Sequence, residues 1–402
     1  MIDPHIFAFP LSLIFALVLA LGLFILRKSA VARIFTSTAF TAALFAVASV
    51  LVAVEGIWAP GLFHHWTFLA VVLLVIISLG FTVISDFNRR SFSALFSHLG
   101  LFLALAGGFF GACDTTDASI RTFKDREEHL ACSAAGGTVP LPFSISLKEF
   151  KTEYYSDGVS PKQFSSLISA DGRELTTAVN HPARHRGYNI YQSGYDAEYG
   201  QYSVLKLVRE PWIPVLVIGA VLLALGAFLA LKETWSSWKI PVAALVLAAV
   251  FALISVARIN FGTLMPALRS IWFIPHLIVY MLAYSILAIA AVTGIISLFT
   301  SRIPSGLPRR LLSTASSLLL VGMLCGAVWA RQAWGDWWTW DAKECWAAVT
   351  WLLTLAGTHS RPGRRHLLVL FTVLSFLAMQ VTWYGVNYLP SSDRSLHTYN
   401  QQ

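Results

Sequence analysis

One stretch of the chain combines four tryptophans with three carboxylates and could bind a large, flat ligand. It runs from Trp334 to Glu344 with the sequence WGDWWTWDAKE. A core helix would bury the acids together with the rings, and a solvated loop would expose too much flat apolar surface. A platform for a planar, partly apolar ligand explains both features. The alternative is that the stretch belongs to the belt of Trp and Tyr that collects at membrane surfaces.

Histidine is the second residue type that suggests chemistry, because imidazole commonly binds haem iron. Of the eleven histidines, His98, His276, His359 and His397 have informative positions. Each of them alone could have a structural role, as a hydrogen-bonding group inside the membrane or as a solvated group in the tail. Two histidines at the same depth would suit an iron held by two axial imidazoles.

The composition is that of a protein with many transmembrane helices. Of the 402 residues, 56% are hydrophobic and 12% are charged, which excludes an ordinary soluble enzyme. The net charge of +8 comes mainly from short loops between apolar runs, so it indicates topology and not nucleic-acid binding. The sequence contains no GxxxxGK[ST] motif, which argues against an ATP-driven pump. Cys113 and Cys132 share a polar segment and could form a disulfide there or stay free.

Ten apolar runs are long enough, at roughly 20 residues each, to cross a bilayer. The first run is not expected to be a cleaved signal, because it contains Pro10, lacks a basic start and ends in Arg27-Lys28. The ninth run is the shortest. The ten runs cover residues 6–26, 35–57, 66–85, 92–111, 212–231, 240–257, 272–299, 311–330, 345–359 and 366–386.

The basic residues of the loops predict the orientation of the chain. Thirteen lie in one set of loops and five in the other, so the first set is cytoplasmic and both chain ends are external. This orientation places His98, about 12 Å in from the membrane edge, and His359 in the cytoplasmic half. It places His276, His397 and the tryptophan stretch on the external side. The thirteen are Arg27, Lys28, Arg33, Arg89, Arg90, Lys232, Lys239, Arg302, Arg309, Arg310, Arg361, Arg364 and Arg365, and the five are Arg258, Arg269, Arg331, Lys343 and Arg394.

The polar segment 112–211 is predicted to be a small β-rich domain outside the membrane, with a docking or shielding role. Ala170-Asp171-Gly172 is a hairpin signal, and about a hundred residues are enough for a modest sandwich or open barrel. The predicted fold class is an all-α polytopic membrane protein of about ten transmembrane helices, with this domain inserted between helices four and five. The expected strands cover residues 143–147, 164–168, 174–179, 188–192 and 202–208, where apolar and polar residues alternate or β-branched and aromatic residues collect.

The tryptophan stretch resembles the WWD signature of haem-handling cytochrome c maturation proteins. Its matching residues follow the pattern Trp334-Gly-Asp-Trp337-Trp338-Thr-Trp340-Asp341-x-x-Glu344. The surroundings of His276, His359 and His397 are similar to those in the CcsA (ResC) branch of these proteins.

The sequence upstream resembles the CcsB (ResB) partner of that branch. The resemblance lies in His98-Leu-Gly and in the segments 179–182 and 187–192. From residue 66 to residue 402 the chain therefore resembles a CcsBA fusion, a system II cytochrome c synthase. The implied domains are CcsB-like transmembrane helices over 1–111, the external domain over 112–211, a closing helix over 212–238 and a CcsA-like haem-handling domain with the WWD loop over 239–402.

The resemblance implies two haem sites on opposite sides of the membrane. Haem b enters from the cytoplasmic side, where His98 and His359 bind its iron, and then reaches an external site with His276 and His397 as axial ligands. There its vinyl groups form thioethers with the reduced cysteines of a CxxCH motif in apocytochrome c. The implied external haem cradle consists of Trp334, Gly335, Asp336, Trp337, Trp338, Trp340, Asp341 and Glu344.

The residues implied in the external chemistry act mainly by holding the reactants together. The roles of the three acids, Asp336, Asp341 and Glu344, are open, because they could orient the indoles or mark the wet face of the loop. Cys345 is not part of the signature and is interpreted as a small buried apolar residue. The implied catalytic residues are His276, His397, Trp337, Trp338 and Asp341.

The implied partners are apocytochrome c, proteins of a thiol-reductant pathway and membrane lipids, without nucleic acid. The implied location is the bacterial inner membrane, with the active site on the periplasmic face. Two other functions stay open from the residues alone. The chain could export or chaperone haem without lyase chemistry, or it could be a membrane cytochrome b with permanent bis-histidine haems.

Overall fold

A computed structural model describes most of the chain. The described residues are 7–59, 61–89, 91–133, 136–196, 199–234, 263–304, 306–361 and 363–392, without the side chains of His64 and Asn88. The predicted helix over 240–257, the expected domain boundary at 238–239 and His397 lie outside these residues.

Helices dominate the described chain. They are α1 (Leu11–Leu26), α2 (Ala30–Phe35), α3 (Thr38–Trp58), α4 (Trp66–Arg89), α5 (Phe92–Gly111), α6 (Ile213–Thr234), α7 (Phe273–Phe299), α8 (Leu307–Trp334), α9 (Ala342–Thr358) and α10 (Arg365–Trp383). Seven of these, α3–α8 and α10, are long and apolar enough to cross a membrane, and α1 is a shorter apolar helix. The prediction of a mainly helical, polytopic membrane protein is confirmed, while the number of ten spans stays a prediction.

Helices α5 and α6 flank the β-rich segment and approach each other to backbone contact. A Cβ on Gly100 would lie 2.4 Å from the backbone nitrogen of Leu223, and one on Gly219 would lie 2.7 Å from that of Ala104. Small residues permit such close packing between membrane helices. Because His98 is on α5, this contact fixes the helix that carries it.

The first helices of the chain pack against the last ones. Helix α9 lies against both α3 and α10. A buried apolar cluster joins Val52 of α3, Phe68 of α4, Cys345 and Val349 of α9, and Ala378 of α10. Cys345 is fully buried, as expected for a small apolar residue. Helices from the beginning and the end of the described chain therefore share one apolar core.

The segment 112–211 forms one antiparallel sheet, which confirms the predicted β-rich domain. Its strands are β1 (Thr116–Phe123), β2 (Glu128–Ser133), β3 (Thr138–Tyr154), β4 (Pro161–Ala170), β5 (Arg173–Ala178), β6 (Ala183–His185), β7 (Tyr188–Tyr195) and β8 (Tyr202–Arg209). The strand order is β5-β4-β3-β2-β1-β8-β7-β6. The sheet curls back on itself, because Thr177 of β5 donates a 2.7 Å hydrogen bond to the carbonyl of Ile190 in β7. Cys113 and Cys132 are not joined by a disulfide in the described part of the chain.

Candidate functional site

His98 and His359 come together inside the helical bundle. His98 is on α5, and His359 directly follows the last residue of α9. Their ring centroids lie 6.2 Å apart, with the ring planes tilted by 53°. Both side chains line a cavity of about 330 Å³, within the range of small-molecule sites, about 300–1,000 Å³. The sequence predicted a similar depth for the two residues, and the structure adds their contact.

The hydrogen bonds of the two rings select the same tautomer. His98 Nδ1 lies 2.5 Å from a carboxylate oxygen of Asp86, and His359 Nδ1 lies 2.9 Å from the carbonyl oxygen of Leu355. Carbonyl and carboxylate oxygens only accept hydrogen bonds, so Nδ1 carries the hydrogen in both rings. The lone pair that can bind a metal is therefore on Nε2 in both.

The spacing of the two rings suits an iron between them. With metal–imidazole bonds of about 2 Å, two rings on opposite sides of one metal have centroids roughly 6 Å apart. In the described part of the chain, no group of three or more His, Cys, Asp or Glu side chains is placed to hold a bare ion. Two imidazoles alone suit an iron whose remaining ligands come from a porphyrin.

The cavity also contains donors for an anionic ligand. Trp351 and Arg89 line it beside the histidines. The indole Nε1 of Trp351 is buried and has no hydrogen-bond partner among the described residues. An unpaired buried donor costs about 1–3 kcal/mol, and a ligand with carboxylates could remove that cost. Haem carries two propionates, so these donors also fit haem.

The tryptophan stretch forms the loop between α8 and α9, and two of its acids determine the shape of the loop. Asp341 caps the N-terminus of α9 by accepting a 2.8 Å hydrogen bond from the backbone nitrogen of Glu344. Glu344 in turn accepts a 2.6 Å hydrogen bond from the backbone nitrogen of Thr339. The first bond is an N-cap, which stabilises the start of a helix, and the second ties the preceding loop to the first turn of α9. Both carboxylates are buried, so they do not mark a wet face.

The indoles of the loop pack on residues that precede and begin α4. Trp340 stacks on Phe63 with centroids 5.9 Å apart and meets Phe68 edge-on at 5.1 Å. Trp338 packs against Trp340 at 6.0 Å. Trp340 has a φ of +60°, which is costly for a bulky residue, so the surrounding contacts must hold it in place. The four indoles of the loop are all half-buried.

The third acid, Asp336, ties the loop to the β-rich domain. Lys206 of β8 donates to both carboxylate oxygens of Asp336 at 2.7 Å. The same ammonium lies 3.0 Å from the carboxylate of Asp117 in β1. The sequence left the roles of the three acids open. In the structure, two of them shape the loop and the third docks it.

Arg331 and Glu210 form a second, buried contact across the same interface. Arg331 Nη2 lies 2.8 Å from Glu210 Oε2, and Arg331 Nη1 donates to the carbonyl of Gly335. The guanidinium lies over the rings of Tyr191 and Trp337, 5.4 Å and 5.7 Å from their centroids. Gly335 has a φ of +90°, and a Cβ there would come within 3.0 Å of the Tyr191 ring. Glycine is required at this position for both reasons.

Burial changes the acid–base properties of this interface. It raises the pKa of Tyr191 to about 12, so the phenol keeps its proton at neutral pH. It also raises the pKa of Glu210, although the neighbouring Arg331 acts in the opposite direction. Charged groups in such surroundings are costly when they lose their partner. The contact between the loop and the β-rich domain therefore depends on both members of each pair.

His276 lies on α7 and reaches the loop through two indoles. Its Nδ1 lies 2.8 Å from the carbonyl oxygen of Gly322, which selects the same tautomer as in His98 and His359. The His276 ring is 5.9 Å from the ring of Trp329, which is 5.6 Å from that of Trp334. The structure thus brings His276 close to the loop, while His397 lies outside the described residues.

The sequence-based prediction missed the residues that position the predicted ligands. Asp86 directly follows the apolar run 66–85, and an acid at the end of a membrane helix could have been singled out. Lys206 and Glu210 look like ordinary charges on and beside a strand. Lys206 donates to Asp336, 130 residues away in the chain, and Glu210 accepts from the Trp337 indole, 127 residues away, so no local pattern reveals these contacts.

Comparisons with known proteins match both halves of the chain. The family model for the Cytochrome C assembly protein matches residues 212–392, and the model for the ResB-like family matches residues 88–201. The chain is 32% identical to the cytochrome c biogenesis protein CcsA of Synechococcus sp. (strain RCC307) over 218 residues, which are 42% of this chain and 68% of that protein. It is 31% identical to the CcsA protein of Prochlorococcus marinus (strain MIT 9515) over 257 residues, 52% of this chain and 74% of that protein. It is also 31% identical to the CcsA protein of Chlamydomonas reinhardtii over 155 residues, 34% and 42% of the two chains.

Proposed function

This chain belongs to the CcsA family of cytochrome c biogenesis proteins and is a CcsBA-type system II fusion, and we propose that it is a cytochrome c haem lyase. It brings haem b to the external membrane face and attaches it covalently to the CxxCH motif of apocytochrome c. The two steps belong to two sites, one inside the helical bundle and one at the tryptophan loop.

The inner site receives haem from the cytoplasmic side. His98 and His359 bind the iron through Nε2, because Nδ1 of each ring is already hydrogen-bonded. The 6.2 Å separation of the two rings within one cavity is the observation that carries this proposal. Arg89 and the Nε1 of Trp351 would meet the propionates.

The external site holds haem while it reacts. His276 and His397 are the axial ligands in this proposal, and the loop Trp334–Glu344 cradles the ring. The β-rich domain supports the loop through Lys206 and Glu210. Support of this kind favours a fixed geometry, which chemistry by positioning requires.

The reaction is the addition of two thiols across two vinyl groups. In each addition, the sulfur binds one vinyl carbon and the thiol hydrogen ends on the other carbon, so the step needs no oxidant. The cysteines must arrive reduced, so proteins of a thiol-reductant pathway act upstream. The histidine of the CxxCH motif then takes the iron from His276 or His397. Holding the vinyl edge beside two thiols makes the addition nearly intramolecular.

The location and the division of the chain follow from the same proposal. The protein resides in the bacterial inner membrane with the tryptophan loop on the periplasmic face. Residues 1–111 and 212–238 form the CcsB-like membrane part, 112–211 the external domain and 239–402 the CcsA-like part.

The test is co-expression of the full chain with an apocytochrome c, followed by a peroxidase stain for covalent haem on a denaturing gel. The wild-type chain should give stained cytochrome c. His98→Ala and His359→Ala should each lower the yield by about tenfold or more, since loss of ligand support typically costs 10–100-fold. His276→Ala should alter the spectrum of the external haem, and added imidazole should partly restore it.

The matched control is His366→Ala, which removes an exposed histidine in the first turn of α10 and should leave the yield unchanged. Bound haem without any covalent product would overturn the lyase proposal in favour of a haem exporter or a membrane cytochrome b. Normal yields from all three ligand variants would show that both haem sites are assigned wrongly.

A further inference from the structure

The two imidazoles of the inner site receive different support at Nδ1. His98 is hydrogen-bonded to the carboxylate of Asp86 at 2.5 Å, and Asp86 is buried, with only 5% of its surface exposed. His359 is hydrogen-bonded to a neutral backbone carbonyl, that of Leu355, at 2.9 Å. Asp86 is on α4, so its position relative to His98 depends on how α4 packs against α5.

The backbone on both sides of His359 is held by hydrogen bonds. The two histidines therefore differ in the hydrogen-bond partner of the ring and not in how firmly the backbone is held. Arg309 donates to the carbonyl oxygens of Thr358 and Ser360, the residues on either side of His359, at 2.5 Å and 3.1 Å. A cation at this position also favours the C-terminus of α9. Both histidines are therefore held in place, and they differ in the charge of the group behind the imidazole.

A carboxylate behind an imidazole strengthens the metal ligand. Hydrogen bonds with one charged partner are about twice as strong as neutral ones. A carboxylate that accepts from the far nitrogen raises the basicity of the ligating nitrogen and fixes the ring orientation. A backbone carbonyl fixes the orientation but adds no charge. The two axial positions of the inner site are therefore unequal.

We propose that Asp86 is a positioning residue that makes His98 the stronger of the two axial ligands, so that His359 releases the iron first when haem leaves the inner site. This inference rests on the proposed role of His98 and His359 as haem ligands. This order gives the transfer a direction. The iron stays bound to His98 on α5 while its bond to His359 breaks, and His359 follows α9, the helix that begins at the tryptophan loop.

The experiment measures haem bound per purified full-length chain in detergent, from the absorption spectrum. Every variant carries both His276→Ala and His397→Ala, so that neither proposed axial ligand of the external site is present. With Asp86 intact, His98→Ala should lower haem content about tenfold more than His359→Ala, the lower end of the effect of such support. With Asp86→Asn, the difference between the two histidine variants should shrink to less than about threefold, because the ligands then have similar neutral support.

The matched control is Glu233→Gln, which neutralises another carboxylate that bonds to α5, through Ser93 at 2.5 Å, without touching either histidine. The tenfold difference should persist in that background. If the Asp86→Asn protein does not accumulate, the comparison of His98→Ala with His359→Ala in the chain that keeps Asp86 still tests the inference. Equal haem loss from both overturns this inference and leaves the inner site standing. No haem loss from either overturns the inner site and the inference together.

Discussion

The two proposed haem sites are built from different kinds of structure. The inner site joins side chains from separate helices around a cavity, and its two histidines keep Nε2 for a ligand. The external site is a loop whose three acids are already bonded to the protein itself, two within the loop and one to the β-rich domain. In the first site the reactive groups and the scaffold are separate residues, whereas in the second they are largely the same residues.

This difference determines how mutations in the two sites should be interpreted. Replacing an inner histidine is expected to remove a proposed ligand and to leave the helices packed. Replacing an acid or an arginine of the loop also removes a structural contact, so lost activity alone cannot identify a chemical role. Tests of the external site therefore need a measure of the fold and a variant that restores the contact without restoring the original residue.

The largest structural effect is expected from Arg331→Gln. It removes the guanidinium that pairs with the largely buried Glu210, whose carboxylate then keeps the Trp337 indole as a donor at 3.3 Å, and it removes the hydrogen bond to the carbonyl of Gly335. Breaking one side of a buried ion pair costs about 3–5 kcal/mol. The midpoint of thermal unfolding in detergent, measured by tryptophan fluorescence, should fall strongly. The spectrum of haem at the inner site should not change in the protein that remains folded.

The control is Arg269→Gln, which removes another arginine that bonds to the β-rich domain. Arg269 is exposed and donates one described hydrogen bond, to the carbonyl of Lys162 at 3.1 Å. Its unfolding midpoint should stay close to that of the wild type. If both arginine variants unfold alike, the buried pair has no special weight in the contact between the loop and the β-rich domain.

A charge exchange between Lys206 and Asp336 should have an intermediate effect. Asp336→Lys places two ammonium groups together and removes the hydrogen bonding between Lys206 and the Asp336 carboxylate. A hydrogen bond to a charged group contributes about 1.5–3 kcal/mol. The double variant Lys206→Asp with Asp336→Lys should recover most of this loss, because the ammonium introduced into the loop can also meet Asp117, which lies 3.0 Å from Lys206. The measurement is again the unfolding midpoint, with cytochrome c yield alongside.

Failure of the double variant to recover stability would mean that the pair does not hold the loop to the sheet. Recovered stability with lost yield would instead give Asp336 a chemical role. The charge exchange thus separates a structural role of Asp336 from a chemical one.

Local patterns in the sequence predicted the elements better than the contacts between them. The hairpin at Ala170-Asp171-Gly172 was predicted from turn chemistry and is present between β4 and β5, with positive φ at Asp171 and Gly172. The strands β1, β2 and β6 were missed. Strand β1 does alternate, with Ala118, Ile120 and Thr122 buried and Ser119 and Arg121 exposed, but two of its three inward residues are Ala and Thr, which are weak apolar signals. Length and composition predicted the seven long apolar helices of the described chain, since a bilayer imposes a simple requirement on both.

The contacts of the sites could be predicted only in part. Depth counting predicted a similar level for His98 and His359, but not the rotation of α5 and α9 that turns the rings toward each other. The role of Asp86 depends on the packing of α4 against α5. Both features depend on tertiary packing, that is, on which glycines and apolar helix faces contact each other. A single sequence does not show these contacts.

The smallest effect is expected at Asp341, and it distinguishes a cap from a catalytic acid. Asp341→Ala removes the hydrogen bond to the Glu344 nitrogen and should cost about 1 kcal/mol, the typical value of an N-cap. Asp341→Ser keeps an acceptor at the same position, so it should restore both the unfolding midpoint and the cytochrome c yield close to wild type. If Asp341→Ser is stable but makes no cytochrome c, the carboxylate charge itself takes part in the reaction. The external loop would then contain a chemical group after all, and the contrast with the inner site would hold only for Asp336 and Glu344.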